Sequence, residues 1–201
     1  MLSESGKVGI TVIWPPWSGK SALVKRLLRR ISWWNILIDL DNNILESDLW
    51  LWKDGIAKYI QKYWDLAFLE YENNLTQKHL GVDGEWKTFG LNQAFLSASW
   101  SLPKSPEAMK YIKERTFVIL LHADIEDVLK NIEEREDGAS RIVWMNGWPN
   151  GEEPMSATLR EEIIKRNAAY QEAADAVFII TQTDTIEERA EEFEKFILQI
   201  I

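Results

Sequence analysis

The chain contains no cysteine, so it has no disulfide framework, no thiolate metal site and no thiol nucleophile. Histidine is nearly absent. His79 and His122 lie far apart without ligand-like spacing, and no metal site is expected from them. No apolar run reaches the roughly 18 residues that a membrane span needs. The stretch MLSESGKVGITVIW has no basic segment ahead of a long apolar core, so no signal peptide is expected. Basic charge is in the minority, with 23 Lys and Arg against 32 Asp and Glu and a net charge of −9. The acids are spread along the chain, which argues against a nucleic-acid-binding surface. These absences leave a cytoplasmic protein without nucleic-acid or membrane partners, expected to be a monomer. Its 201 residues suffice for one domain with a sizeable core, spanning 1–201.

Glycine is also scarce, and tryptophan is not. The chain has 10 glycines and 11 tryptophans. Average usage of about 7% would give roughly 14 glycines in this length. Tryptophan is not among the common residues, so an excess over glycine needs a cause.

What is present is a regular alternation. Residues 8–13 form a short, apolar, β-branched run, which suits a buried strand. Residues 20–31 have helical spacing, with Leu23, Val24, Leu27, Leu28 and Ile31 on one side. A second buried strand is expected at 35–38, followed by helices near 55–63 and 65–80. Strands at 94–98, 116–121 and 176–180 alternate with helices that open near Ser105, at 124–134, at 157–174 and at 185–200. Pro106 at a first helical position and Glu107 beside it are good start signals. Residues 136–156, rich in Gly, Asn and Pro, read as a long loop. The alternation predicts an α/β domain with a mainly parallel, five-stranded sheet covered by helices on both faces.

Between the first strand and its helix the chain reads W-P-P-W-S-G-K-S, from Trp14 to Ser21. The phosphate-loop pattern is G-x-x-x-x-G-K-[ST] in that context, and every part fits except the first glycine. The backbone of Trp14, Pro15, Pro16, Trp17, Ser18, Gly19, Lys20, Ser21 and Ala22 is the expected nucleotide-binding segment. Loop N–H groups and the following helix N-terminus favour phosphate oxygens. Lys20 would bridge the β- and γ-phosphates of ATP, and Ser21 would hold Mg²⁺.

Further motifs follow in order along nearly the whole chain. Asp39-Leu40-Asp41 ends the second strand. Asp65, Phe68 and Glu72 match a segment in which an acid and a Phe precede a glutamate. SASWSL, residues 97–102, follows the third strand. Arg141 lies in ASRIVWMNG, and Arg166, Tyr170, Ala174 and Asp175 lie in KRNAAYQEAAD. With its phosphate loop, this set resembles the shikimate kinase family of small P-loop kinases. The resemblance implies a three-layer kinase fold with an acceptor-binding region at about 41–80 and a lid at about 135–157. It implies phosphoryl transfer from Mg²⁺–ATP to a small hydroxylated metabolite, most simply shikimate.

By that resemblance Asp39 lies near Mg²⁺, and Asp41 binds the acceptor hydroxyls and orients or deprotonates the attacking one. Arg141 stabilises charge on the transferring phosphate, and Arg135 stacks on adenine. Arg166 binds the acceptor carboxylate, and Ser99, Trp100 and Ser101 take the place of the family's glycine-rich acceptor loop. The catalytic set is therefore Lys20, Asp41 and Arg141. One departure concerns the acceptor. The family carries an arginine just after the Phe of its F-R-x-x-E segment, and here that residue is Leu69. Shikimate held differently and another small hydroxylated acceptor both remain open.

The tryptophans fall where such a protein wants glycine. Trp14 and Trp17 occupy the phosphate loop. Trp33 and Trp34 lie between a helix and a strand, and Trp64 between two helices. Trp50 and Trp52 lie in a connector, Trp86 in DGEWKT, Trp100 in the acceptor loop, and Trp144 and Trp148 in the lid. All eleven are expected to be glycine in the natural protein. Some bacteria read the codon UGA as glycine, and a common alternative translation table writes it as tryptophan. If the tryptophans are real, a degenerate P-loop domain that no longer binds nucleotide is the alternative.

Overall fold

The strands form where short runs are apolar enough to be covered on both sides. In the computed structural model the residues described are 7, 9–14, 20–30, 36–40, 69–80, 94–98, 101–102, 105–133, 155–181 and 185–200. The strands are β1 (Gly9–Ile13), β2 (Ile36–Asp39), β3 (Ala94–Ser97), β4 (Thr116–His122) and β5 (Ala176–Ile179). The helices are α1 (Lys20–Arg30), α2 (residues 69–80), α3 (Pro106–Arg115), α4 (Ile125–Glu133), α5 (Met155–Ala173) and α6 (Ile186–Ile200). The expected helix at 55–63 lies outside the described residues.

The sheet order is β2-β3-β1-β4-β5, and all four pairings are parallel. Parallel neighbours require crossovers, and the helices supply them. Alternate residues of each strand feed two separate cores. On one face Ile10, Val12, Phe95, Ile119 and Leu121 pack with Leu23, Val24 and Leu27 of α1 and Ala190, Phe193 and Ile197 of α6. On the other, Ile13, Ile38, Leu96, Val118 and Leu120 pack with Leu80 of α2, Ala108 and Ile112 of α3, and Tyr170 and Ala173 of α5. This is the expected α/β architecture with helices on both faces.

Polar groups caught in the amino half of the sheet are paired, as burial demands. The Thr11 and Thr116 hydroxyls lie 2.7 Å apart, and Thr116 also donates to the Ile112 carbonyl at 2.8 Å. Asp175 accepts the Val118 N–H at 2.8 Å and pairs with Lys7, whose ammonium lies 5.5 Å from the centre of the Phe117 ring. Thr185 and Glu188 form a reciprocal cap that starts α6. Acids of α6 reach across to α1. Arg26 pairs with Glu187, and Arg30 pairs with Glu194 at 2.7 Å. Their partners remain exposed, so these pairs align the two helices more than they stabilise them.

Phe193 is the hub of an aromatic group, with ring centres 4.9 Å from Phe178, 6.5 Å from Phe95 and 6.4 Å from Phe196. It is fully buried. Phe193→Ala is expected to cost about 3–5 kcal/mol, measured by urea unfolding.

Candidate active site at the carboxyl edge of the sheet

β1 lies between β3 and β4, so the chain leaves it in one direction and returns on the other side. The connection after β1 passes to α1 on one face, and that after β3 passes to α3 on the opposite face. The carboxyl ends of β1 and β3 are thus a topological switch point, the place where open α/β sheets bind ligands. The Val12 carbonyl accepts the Ala98 N–H at 3.0 Å, so the segment after β3 starts against the end of β1.

Asp39, Ser97 and Val12 are partners in register across β2, β3 and β1. Residues in register share a face, and Val12 packs on the α1 side. Asp39 and Ser97 therefore project to the face from which α1 rises, with Lys20 and Ser21 as its first two residues. Asp39 is only 5% exposed. The Ser97 hydroxyl is buried and has no hydrogen-bond partner among the described residues. Ala22 is exposed on the first turn of α1.

Trp14 follows β1 directly. It was expected in a loop, away from any core position. It does lie outside the strand, but its side chain is 3% exposed and belongs to the core on the α1 face. A residue one step past a buried strand has no other place for so large an apolar group.

Across the sheet, α2 buries Glu72, Thr76, His79 and Leu80 at helical spacing. Glu72 is fully buried, and the Ser101 hydroxyl lies 3.0 and 2.9 Å from its two carboxylate oxygens. This bond ties the segment after β3 to α2. On α5, Ile163, Arg166, Tyr170 and Ala173 form a buried stripe that holds Arg166 at 4% exposure.

Of the expected site residues, Asp39 ends β2, Trp14 and Ser101 follow β1 and β3, Lys20, Ser21 and Ala22 open α1, and Arg166 lies on a helix covering the same sheet. Pro15, Pro16, Trp17, Ser18, Gly19, Asp41, Ser99, Trp100, Arg135 and Arg141 lie outside the described residues. Sequence reasoning gave no role to Ser97 or to the Glu72–Ser101 bond. The signal for Glu72 was available, because it shares a helical stripe with Leu80.

The sequence profile described as shikimate kinase matches residues 18–198. The chain belongs to the shikimate kinase family. Similar solved structures include a shikimate kinase from Acinetobacter baumannii in complex with shikimate (TM-score 0.71, 18% identity, 98% of this chain and 97% of that one). Others are the shikimate kinases of Bacteroides thetaiotaomicron (0.67, 16%, 95% and 98%) and Aquifex aeolicus (0.65, 17%, 96% and 97%). At such identities the likeness is one of fold. No curated protein matches the chain by sequence. Membership makes this shikimate kinase family chain an ATP-dependent small-molecule kinase.

One tie flanks the segment 134–154 that carries Arg135 and Arg141. Arg160 of α5 forms a two-pronged pair with Glu126 of α4. The Arg160 hydrogen bond holds the Glu126 carboxyl below the usual carboxylate range. A depressed carboxylate contributes above its unfolded pKa, and the contribution is lost as pH falls through the folded value. In a pH titration followed by NMR, the Glu126 carboxyl should titrate at higher pH after Arg160→Ala or in high salt. Separately, Ser101→Ala leaves the buried Glu72 carboxylate short of a donor. It should cost about 1–3 kcal/mol in urea unfolding. Glu72→Gln, which keeps an acceptor for the serine, should cost less.

Proposed function

We propose that the chain phosphorylates shikimate with Mg²⁺–ATP, in a single domain acting as a cytoplasmic monomer. The observation that carries this reading is the placing of Asp39 and Ser97 on the face where α1 begins with Lys20 and Ser21. No described helix is long and apolar enough to cross a membrane.

The oxygen donors of Asp39, Ser97 and Ser21 suit a hard cation such as Mg²⁺, which takes one or two protein oxygens and completes its shell with phosphates and water. When bound, Mg²⁺ would neutralise charge on the β- and γ-phosphates. The rest falls to this chain's residues. The loop 14–22 cradles the phosphates with its backbone N–H groups, which Pro15 and Pro16 lack, and Lys20 bridges the β- and γ-groups. Asp41 takes the proton from the acceptor hydroxyl as its oxygen bonds to the γ-phosphorus. The bond from that phosphorus to the β–γ bridging oxygen breaks, and ADP leaves. Arg141 steadies the charge spread over the transferring group, Arg135 stacks on adenine, and Arg166 binds the acceptor carboxylate. The segment 97–102 lines the acceptor side, with the buried Glu72 holding Ser101. Such transfer needs positioning and electrostatic stabilisation above all, and a closed lid over 135–157 keeps water out.

A second acceptor is favoured by one observation. Leu69, half-buried at the start of α2 as described, stands where the family carries an arginine. A planar two-pronged donor is therefore missing at that position. Another small hydroxylated acid or polyol would then be the acceptor.

The test is a coupled ADP-release assay with shikimate and a panel of hydroxylated acids, with the product identified by mass. Shikimate phosphate should form. ADP release with another acceptor alone would move the assignment to that acceptor. Arg141→Ala should lower kcat by about 10³-fold or more. Arg166→Lys should raise the acceptor KM and leave the ATP KM unchanged.

A further inference from the structure

The structure sharpens the tryptophan question, because it shows where tryptophan is not. The described helices and strands make up roughly half the chain, and none contains a tryptophan. Ten of the eleven lie outside the described residues, and Trp14 lies just past the end of β1. The glycines follow the same rule: of ten, only Gly9 falls inside a described element. Tryptophan favours strands and cores, while glycine favours turns and helix ends. Within the described elements tryptophan is thus as scarce as glycine.

Trp14 gives the same answer locally. Its indole is buried in the core, yet its Nε1–H finds no acceptor among the described residues. A buried tryptophan normally finds one, and leaving a buried donor unpaired is costly. The position is also the first of the phosphate loop, where the backbone must come close to an anion and a small residue is needed. Glycine at 14 removes the orphan donor and the bulk together.

We propose that all eleven tryptophan positions are glycine in the protein the cell makes, the gene spelling them UGA and the cell reading UGA as glycine. The clause about the loop rests on the kinase reading, and the buried, unpaired indole of Trp14 and the lack of tryptophan in the described elements do not. The mechanism requires a glycine-charged tRNA whose anticodon, UCA, pairs with UGA. It also means that a host that stops at UGA would release a peptide ending at Ile13.

The deciding experiment reads the eleven codons and weighs tryptic peptides of the native protein. Peptide 8–20 carries both loop positions. UGA throughout, glycine masses at 14 and 17, and tyrosine-only fluorescence from the purified protein are expected. A UGG codon at 14 or a tryptophan mass in peptide 8–20 overturns the proposal. Peptide mass reports identity and not activity, so glycine masses in a protein that fails to phosphorylate anything would support this proposal while sinking the kinase one. In the chain as written, the double change Trp14→Gly with Trp17→Gly should restore ATP binding by calorimetry. Tight ATP binding by the unaltered chain would count against the need for glycine.

Discussion

Everything in this fold depends on β1 being covered on both faces and both edges. It is hydrogen-bonded to β3 on one side and β4 on the other, and every one of its residues is buried. A strand so placed has no room for a polar side chain that cannot find a partner, and Thr11 has its partner in Thr116. Because all its neighbours run parallel to it, the chain must leave β1 over the top of the sheet and come back from below. That obligation puts the topological switch point at its carboxyl end. The candidate site is thus suggested by topology before any single residue is considered.

The sequence made the architecture legible because hydrophobic period and chain punctuation agree. The run TFVILL, short and rich in β-branched and aromatic residues, reads as a strand, and S-P-E before an apolar-periodic stretch marks a helix start. The order of the strands was not legible. Pairing depends on which crossovers pack against which face, and no local signal carries that. The candidate site could be proposed from sequence where motif and element coincide, as at Lys20-Ser21 and Asp39. It was not legible where two distant segments meet. Ser101 was read as part of the acceptor loop and Glu72 as the glutamate of a separate family motif, with nothing in the sequence to join them. Only their three-dimensional approach makes them a buried pair.

The two kinds of carboxylate in this molecule illustrate how context decides role. Glu126 is exposed and held by one arginine, so its contribution bends with salt and acidity. Glu72 is sealed inside and bound by a hydroxyl, so bulk ions cannot reach it. The first lies beside the interval assigned to the lid, and the second beside the segment assigned to the acceptor. A surface tie suits an element that must open and close, and a buried one suits a wall that must not.

The bonds of the amino half have a consequence for how this protein tolerates change. Lys7, Thr11, Thr116, Val118 and Asp175 stitch the start of β1 to the start of β4 and the approach to β5. The Ser97 hydroxyl, without a partner among the described residues, and the proposed site lie at the other end. Stability and the proposed activity would therefore be separated along the strand axis, like the hilt and edge of a blade. In an evolving lineage the edge could be reshaped for a new acceptor, residue by residue, while the hilt went on holding the same grip.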